Sequence, residues 1–267
     1  MFLIDTHCHI NKLNNNHQIL DLKYFLKKAY KKNIKLFLSI ATSIEDFNHL
    51  YKYTNQYKNI LLSCGLHPNY EHHDNDLKIM KSLIKNDRVI AIGETGLDFY
   101  RTIQKKTTQI KLFKYHIYLS NKTKKPIIIH NRHADNEILN ILNFNKNKIC
   151  SGIIHSFTGN INLARKFLDI GFYISFSGII TFKNSDYLRS ILKFIPLNRL
   201  CIETDSPYLS PEPHRGINNQ PSFLYYIAKT IQKILKIDFS MFTNILNKNF
   251  FKLFKINTNI YNHLSLL

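Results

Sequence analysis

Phe2-Leu3-Ile4-Asp5-Thr6-His7-Cys8-His9 is the stretch from which the fold is read. Three apolar residues open it, as in a parallel strand buried on both faces. Two histidines close it at i, i+2 spacing, which a strand turns to one face while Cys8 points to the other. Side by side at a strand end, two imidazoles make half of a metal site. Alone the pair says little, because 13 histidines in 267 residues give about 0.6 His-x-His pairs by chance. Its meaning depends on how the other apolar runs end.

Such runs recur through the chain. They cover Ile34 to Ile40, Ile60 to Gly65 (stopped by Leu66-His67-Pro68), Val89 to Gly93, and Pro126 to His130. Three more follow at Cys150 to His155, Phe172 to Phe176 and Leu200 to Asp205. Between them the apolar spacing turns helical, first over Ile19 to Lys32, then from a Ser43 cap through Tyr57. Further helices are expected at Asp74–Lys85, Lys105–Lys122, Asp135–Leu142, Leu163–Leu168 and Asp186–Phe194, with tail helices at Ser222–Leu235 and Ser240–Phe254. Strictly alternating β and α segments argue for a parallel sheet. Eight repeats at this length favour a closed (β/α)8 TIM barrel spanning 1–267 as one domain, with an open doubly wound sheet as the competing α/β architecture.

Composition sets the outer bounds. With 44% hydrophobic and 13% aromatic residues the chain can bury a full core, which excludes a disordered protein. No apolar run is long enough to span a bilayer, and Met1-Phe2-Leu3-Ile4-Asp5 lacks the basic start of a signal peptide, so a cytoplasmic location is expected. Cys8, Cys64, Cys150 and Cys201 are scattered without CxxC spacing and read as buried reduced thiols. The net charge of +19 suits a polyanionic partner. A chain heavy in Lys, Asn, Ile, Phe and Tyr also carries the bias of an AT-rich genome, so charge alone does not establish a nucleic-acid substrate. No feature sets an oligomeric state, and a monomer is the favoured expectation.

The chemistry collects where the apolar runs end. The first run contributes His7 and His9, the fourth Glu94, the fifth His130, the sixth His155 and the eighth Asp205. In a barrel these ends converge around one mouth. A single histidine at a strand end is more often structural than a ligand; four placed this way reverse that preference. Nitrogen and oxygen donors without thiolate suit Zn, Mn, Fe, Ni or Mg. Six donors exceed what one tetrahedral ion needs, so two divalent cations about 3.5–4 Å apart, sharing a carboxylate, are the economical arrangement. The absence of a Gly-x-Ser-x-Gly elbow and of a P-loop removes two other hydrolytic mechanisms.

Taken in order, several motifs resemble the TatD family of metal-dependent hydrolases. They are His7-Cys8-His9, Gly65-Leu66-His67-Pro68, Gly93-Glu94-Thr95-Gly96-Leu97-Asp98, His130-Asn131-Arg132, His155-Ser156-Phe157-Thr158-Gly159 and Glu203-Thr204-Asp205-Ser206-Pro207-Tyr208-Leu209. Arg215-Gly216-Ile217-Asn218-Asn219-Gln220-Pro221 and Asn249-Phe250-Phe251-Lys252-Leu253-Phe254 fit the same pattern. The resemblance implies an amidohydrolase-type barrel and divalent-metal hydrolysis of phosphodiesters, with deoxyribonuclease activity in several members. By position it implies that His7, His9 and Asp205 bind one cation, His130 and His155 the other, and Glu94 both. The cations would be Mg, Mn or Zn, and Asp205 would take a proton from the attacking water. Two departures stand out: His116 where the family commonly has Gln, and His133 where Asp is common.

Around these residues, Arg132, His67 and Arg215 are expected to meet substrate, with Asn218 beside Arg215 in the same loop. Asp5 and Glu203 are expected as buried acceptors that orient histidine N–H groups. Asp98 reads as a turn cap rather than a catalytic acid. His17, His49, His72, His73 and His263 read as solvated or packing residues. The favoured function is a phosphodiesterase acting on DNA or short oligonucleotides. An ester, lactone or aminoacyl-tRNA hydrolase on the same centre is the alternative, and a nucleic-acid-binding protein with a vestigial site the third possibility.

Overall fold

The computed structural model describes residues 2–13, 19–73, 75–101, 104–145 and 151–257. Eight strands pair in parallel and in sequence order: β1 (Leu3–Cys8), β2 (Ile34–Ser39), β3 (Ile60–Cys64), β4 (Val89–Asp98), β5 (Ile127–Arg132), β6 (Gly152–Ile154), β7 (Tyr173–Phe176) and β8 (Leu200–Ile202). The two edges are drawn together by main-chain bonds from Asp205 N–H to His7 O (2.9 Å) and from His9 N–H to Ser206 O (2.8 Å). The Thr6 hydroxyl adds a bond to Ile202 O at 3.0 Å. A TIM barrel results, as expected. Cys150, His17 and His263 lie outside the described residues; Cys8, Cys64 and Cys201 are buried free thiols.

The helices are α1 (Ile19–Lys31), α2 (Ile44–Tyr53), α3 (Asp76–Leu83), α4 (Lys106–Thr123), α5 (Asp135–Phe144), α6 (Ile161–Asp169), α7 (Asp186–Phe194), α8 (Leu224–Leu235) and α9 (Phe239–Phe254). Ser43 caps α2 as expected, its hydroxyl accepting the Asp46 N–H at 3.1 Å, although the helix stops at Tyr53 rather than Tyr57.

Alternation along the strands produces two apolar layers. Phe37 points out toward the helices, while Leu36 and Leu38 point into the barrel with Ile4, Leu61, Ala91, Ile128, Ile153 and Cys201. Phe250, Leu253 and Phe254 of α9 join that inner layer beside Phe2 and Ile4, so α9 stoppers the end where the strands begin. Each such side chain contributes about 1.5–3 kcal/mol by leaving water. With one end filled by hydrocarbon, polar side chains gather at the other, where the strands finish.

Two strand ends differ from the sequence expectation by three residues or more. β4 does not stop at Gly93 but runs to Asp98, and its register against β5 shifts between Ile92 and Thr95. The shift depends on glycine. Gly93 and Gly96 adopt φ of +134° and +139°, and a Cβ on Gly96 would lie 2.0 Å from His130 O. The two backbones approach more closely than any side chain permits, which turns Glu94 into the barrel from within a strand. β8 ends at Ile202, and Glu203-Thr204-Asp205 leave the ladder as Asp205 takes a left-handed φ of +55°.

Candidate metal centre

Glu94 is the hub of the polar end, buried at 3% exposure. Oε1 meets three imidazoles: His155 Nε2 at 2.8 Å, His130 Nδ1 at 3.1 Å and His67 Nε2 at 3.1 Å. Oε2 faces the opposite group, His7 Nε2 at 3.4 Å and His9 Nε2 at 3.9 Å. Asp205 Oδ1 completes that side, 3.5 Å from both His7 Nε2 and His9 Nε2. The structure therefore brings together all six residues singled out as ligands, one cluster on each side of the Glu94 carboxylate. The i, i+2 spacing of His7 and His9 does put both on one face, their ring centroids 5.2 Å apart.

Hydrogen bonds on the far side of each ring decide which nitrogen turns inward. His155 Nδ1 donates to Glu203 Oε1 (3.2 Å), His130 Nε2 to Asp98 Oδ2 (3.1 Å), and His9 Nδ1 to Ile40 O (3.1 Å). In the neutral tautomers so fixed, the inward nitrogens of His130 and His155, 3.3 Å apart, are lone pairs aimed at a third acceptor, Glu94 Oε1. On the other side, both ring nitrogens of His7 are buried without a hydrogen-bond partner among the described residues. Acceptors crowded together need a cation among them, either protons or metal ions. Ligands each about 2.1 Å from one ion lie about 3.0–3.4 Å from one another, close to the separations here. Donor triads able to hold an ion are His7–His9–Glu94, His7–His155–Glu203 and His67–Glu94–His130.

The electrostatics show the same demand. Burial disfavours charge on Glu94, yet the His155 and His67 rings outweigh it and hold the carboxyl well below its usual range. Burial likewise opposes a cationic His155, but Glu94 and Glu203 raise it well above an ordinary histidine. Asp205 is pulled down against its burial by His9 and His7.

His67 stands apart. Burial lowers its pKa to about 4, and its Nδ1 accepts the Asn69 N–H at 3.1 Å. The proton is thus on Nε2, which donates to Glu94 Oε1. His67 and Arg132 both line the roughly 1030 Å³ cavity above the cluster, together with Lys12, Tyr70, Arg101 and Tyr208. Arg215, expected to meet substrate, does not line it. Its guanidinium packs over Phe182 at 3.7 Å from the ring centroid and donates to Ser210 O, which braces its own loop, where Asn218 is exposed. Asp5 orients no imidazole either. Oδ1 accepts the Thr204 N–H (2.9 Å) and Oδ2 the Thr204 hydroxyl (2.6 Å), tying β1 to the segment that carries Asp205. Burial raises the Asp5 pKa to about 8.

Glu203 takes its expected place, accepting both His155 Nδ1–H and the Ser156 N–H at 2.7 Å. Asp98 is the turn cap expected, with Oδ1 bonded to the Tyr100 and Arg101 N–H groups, but its Oδ2 also holds His130 and Asn69. Its position four residues past Glu94 on an extended strand, a same-face spacing, was the available signal. Asn219 was not singled out, yet its Nδ2 ties Thr204 O (2.7 Å) to Tyr208 O (2.6 Å) under the Asp205 loop. His72 is a packing residue, its Nε2 donating to His67 O at 2.8 Å.

A TIM barrel with a buried histidine–carboxylate cluster of this kind at its C-terminal mouth is the architecture of the metal-dependent hydrolases. Residues 4–255 match the family model described as TatD related DNase. A metal-dependent hydrolase of Buchnera aphidicola subsp. Baizongia pistaciae is 46% identical over 257 residues, covering 96% of this chain and 97% of its own. The metal-dependent hydrolase YcfH of Escherichia coli K12 is 38% identical over 256 residues, covering 96% and 97%. Among solved structures, the TatD homologue YJJV of E. coli K12 superposes with a TM-score of 0.89 at 24% identity, over 96% of this chain and 98% of its own. The chain belongs to the TatD family. No helix among the described residues is long and apolar enough to cross a membrane.

Proposed function

We propose that this hydrolase cleaves phosphodiester bonds in DNA or short oligonucleotides with water activated at the Glu94 cluster. One observation carries the proposal: the His130 and His155 ring nitrogens converge on Glu94 Oε1 while His7 and His9 Nε2 face Oε2 with Asp205 Oδ1 beside both rings, at the floor of a cavity whose walls bear Lys12, Arg101 and Arg132. Two divalent cations (Mg, Mn or Zn), when bound, would supply the positive charge that acidifies water and clamps a phosphoryl oxygen. His7, His9, Asp205 and Glu94 would hold one, and His130, His155 and Glu94 the other. The orphaned His7 nitrogens and the all-N/O donor set fit such ions.

The remaining steps belong to the chain's own side chains. Asp205, at the cavity floor and kept anionic, accepts the proton of the attacking water. Arg132 offers its planar fork to a phosphate oxygen from above. His67 donates through Nε2 and holds Glu94 in its rotamer until substrate enters. Buried imidazoles and the apolar Phe157 wall limit bulk water, which strengthens each of these contacts.

The test is turnover of an end-labelled single-stranded oligonucleotide with added Mn or Mg, beside a panel of carboxylic esters, lactones and aminoacyl esters. Phosphodiester cleavage that disappears in Glu94→Ala is the expected result. Ester turnover with no phosphodiester cleavage, or full nuclease activity in the variant, overturns the proposal.

A further inference from the structure

Lys12 sits three residues past His9 on the turn that follows β1, and its side chain is 22% exposed where it lines the cavity. Its ammonium is seated by other residues rather than left to wander. Nζ donates to Thr42 Oγ1 at 2.9 Å and lies 3.3 Å from Asp46 Oδ2. Asp46 is satisfied without it, because Asn11 Nδ2 (2.6 Å), the Thr42 N–H (2.8 Å) and the Thr42 hydroxyl (2.8 Å) already serve its oxygens. An ammonium has three donors, and Thr42 and Asp46 take two among the described residues, which leaves one toward the cavity. Asp46, Thr42 and Asn11 thus form a bracket that holds the cation in place.

The surroundings specify what that cation would meet. Tyr70 presents its ring 5.5 Å from Nζ, and Tyr208 lies edge-on to His9 with ring centroids 5.8 Å apart. Both rings line the cavity and are 41% and 50% exposed, so two aromatic faces flank one fixed positive charge. The remaining lysine and arginine charges of the lining, Arg101 and Arg132, belong to the segments at the ends of β4 and β5. A strand drawn across the cluster would therefore meet positive charge on both sides of the reacting centre. Alternating cation and aromatic face is how single-stranded nucleic acid is held without reading sequence.

We propose that Lys12 binds the phosphate adjacent to the scissile one, on the His9 side of the centre, with Tyr70 and Tyr208 as stacking faces for the neighbouring base. The inference rests on the phosphodiesterase function proposed above and adds to it a substrate of at least two consecutive linkages.

The test is binding of fluorescein-labelled tetrathymidylate in EDTA, read by anisotropy over a range of NaCl, so that metal loading and turnover do not enter. Lys12→Met should weaken binding about five- to tenfold and lower the salt slope by about 0.7, with Lys12→Arg recovering most of both. Replacing linkages one at a time by uncharged methylphosphonate should reveal one position where the wild type loses that same factor and Lys12→Met loses nothing more. Unchanged affinity and slope in Lys12→Met, or losses that add at every linkage, would overturn the assignment of Lys12. Tetrathymidylate that binds but resists cleavage when Mn is added would instead overturn the phosphodiesterase proposal itself.

Discussion

Asp98 Oδ2 lies 3.1 Å from His130 Nε2, and this contact decides which nitrogen His130 offers to the centre. With Nε2–H committed to the carboxylate, Nδ1 is left facing Glu94 and His155. Asp98→Asn keeps an acceptor for the Tyr100 and Arg101 N–H groups but removes the charge behind the imidazole. Affinity for divalent cations should fall about 10- to 100-fold while the fold is kept. Calorimetric titration with Mn beside a thermal melt checks both halves; unchanged affinity would show that Asp98 serves the turn alone.

Gly96 is predicted to be intolerant of any side chain. Its φ of +139° and the 2.0 Å approach of a built Cβ to His130 O leave the backbone no room to yield without moving a strand. Gly96→Ala should cost about 3 kcal/mol or more, read from the urea midpoint, and should disturb metal binding through His130. A loss under about 1 kcal/mol would mean that β4 and β5 can separate freely.

His116 replaces the glutamine that the family resemblance led one to expect, and the structure shows what it does. Fully buried, it accepts the Leu66 N–H at Nε2 (2.9 Å) and donates from Nδ1 to Leu112 O (2.7 Å), so it is held neutral. Burial lowers its pKa from 6.5 to about 4, with the nearby His72 pushing the same way. A histidine depressed on folding contributes stability that is whole above the unfolded pKa and drains as pH falls from 6.5 toward 4, where the unfolded chain takes the proton first. The full loss is about 3 kcal/mol. A carboxamide can accept and donate in the same two directions, so His116→Gln should flatten the decline in melting temperature between pH 6.5 and 4 in EDTA. Equal slopes for both proteins would refute this.

Much of this centre was legible in the letters because strands state their own geometry. Five of the eight apolar runs end in His7, His9, Glu94, His130, His155 and Asp205, which needed only barrel closure to meet, and strand pairing supplies that closure. Roles set by which oxygen bonds which nitrogen were not legible. Asp5 and Glu203 both sit two residues before a proposed ligand, yet Glu203 reaches an imidazole while Asp5 turns to Thr204, on a strand whose register shifts between Asp5 and Cys8. Arg215 eluded prediction for a different reason: its place depends on a long irregular loop and on Phe182, which contacts it from 33 positions away.

Arg132 and Arg215 therefore make a paired prediction. Arg132 lines the cavity with its guanidinium 4.3 Å from the Tyr100 ring centroid, and a lysine ammonium lacks the planar fork it presents. Arg132→Lys should raise KM for an oligonucleotide about tenfold with a smaller change in kcat. Arg215→Lys should leave KM within about twofold and lower the melting temperature instead, through the Phe182 contact. The reverse pattern in steady-state kinetics would exchange the two roles.

The proposed function requires two divalent cations, with Glu94 among the residues that would hold each. Titrating EDTA-treated protein with Mn, counted calorimetrically and checked by metal analysis after dialysis, tests it most directly. Two equivalents for the wild type, with both sites weakened together in Glu94→Ala, is the predicted result. No retained cation in the wild type, or identical binding in the variant, would contradict it.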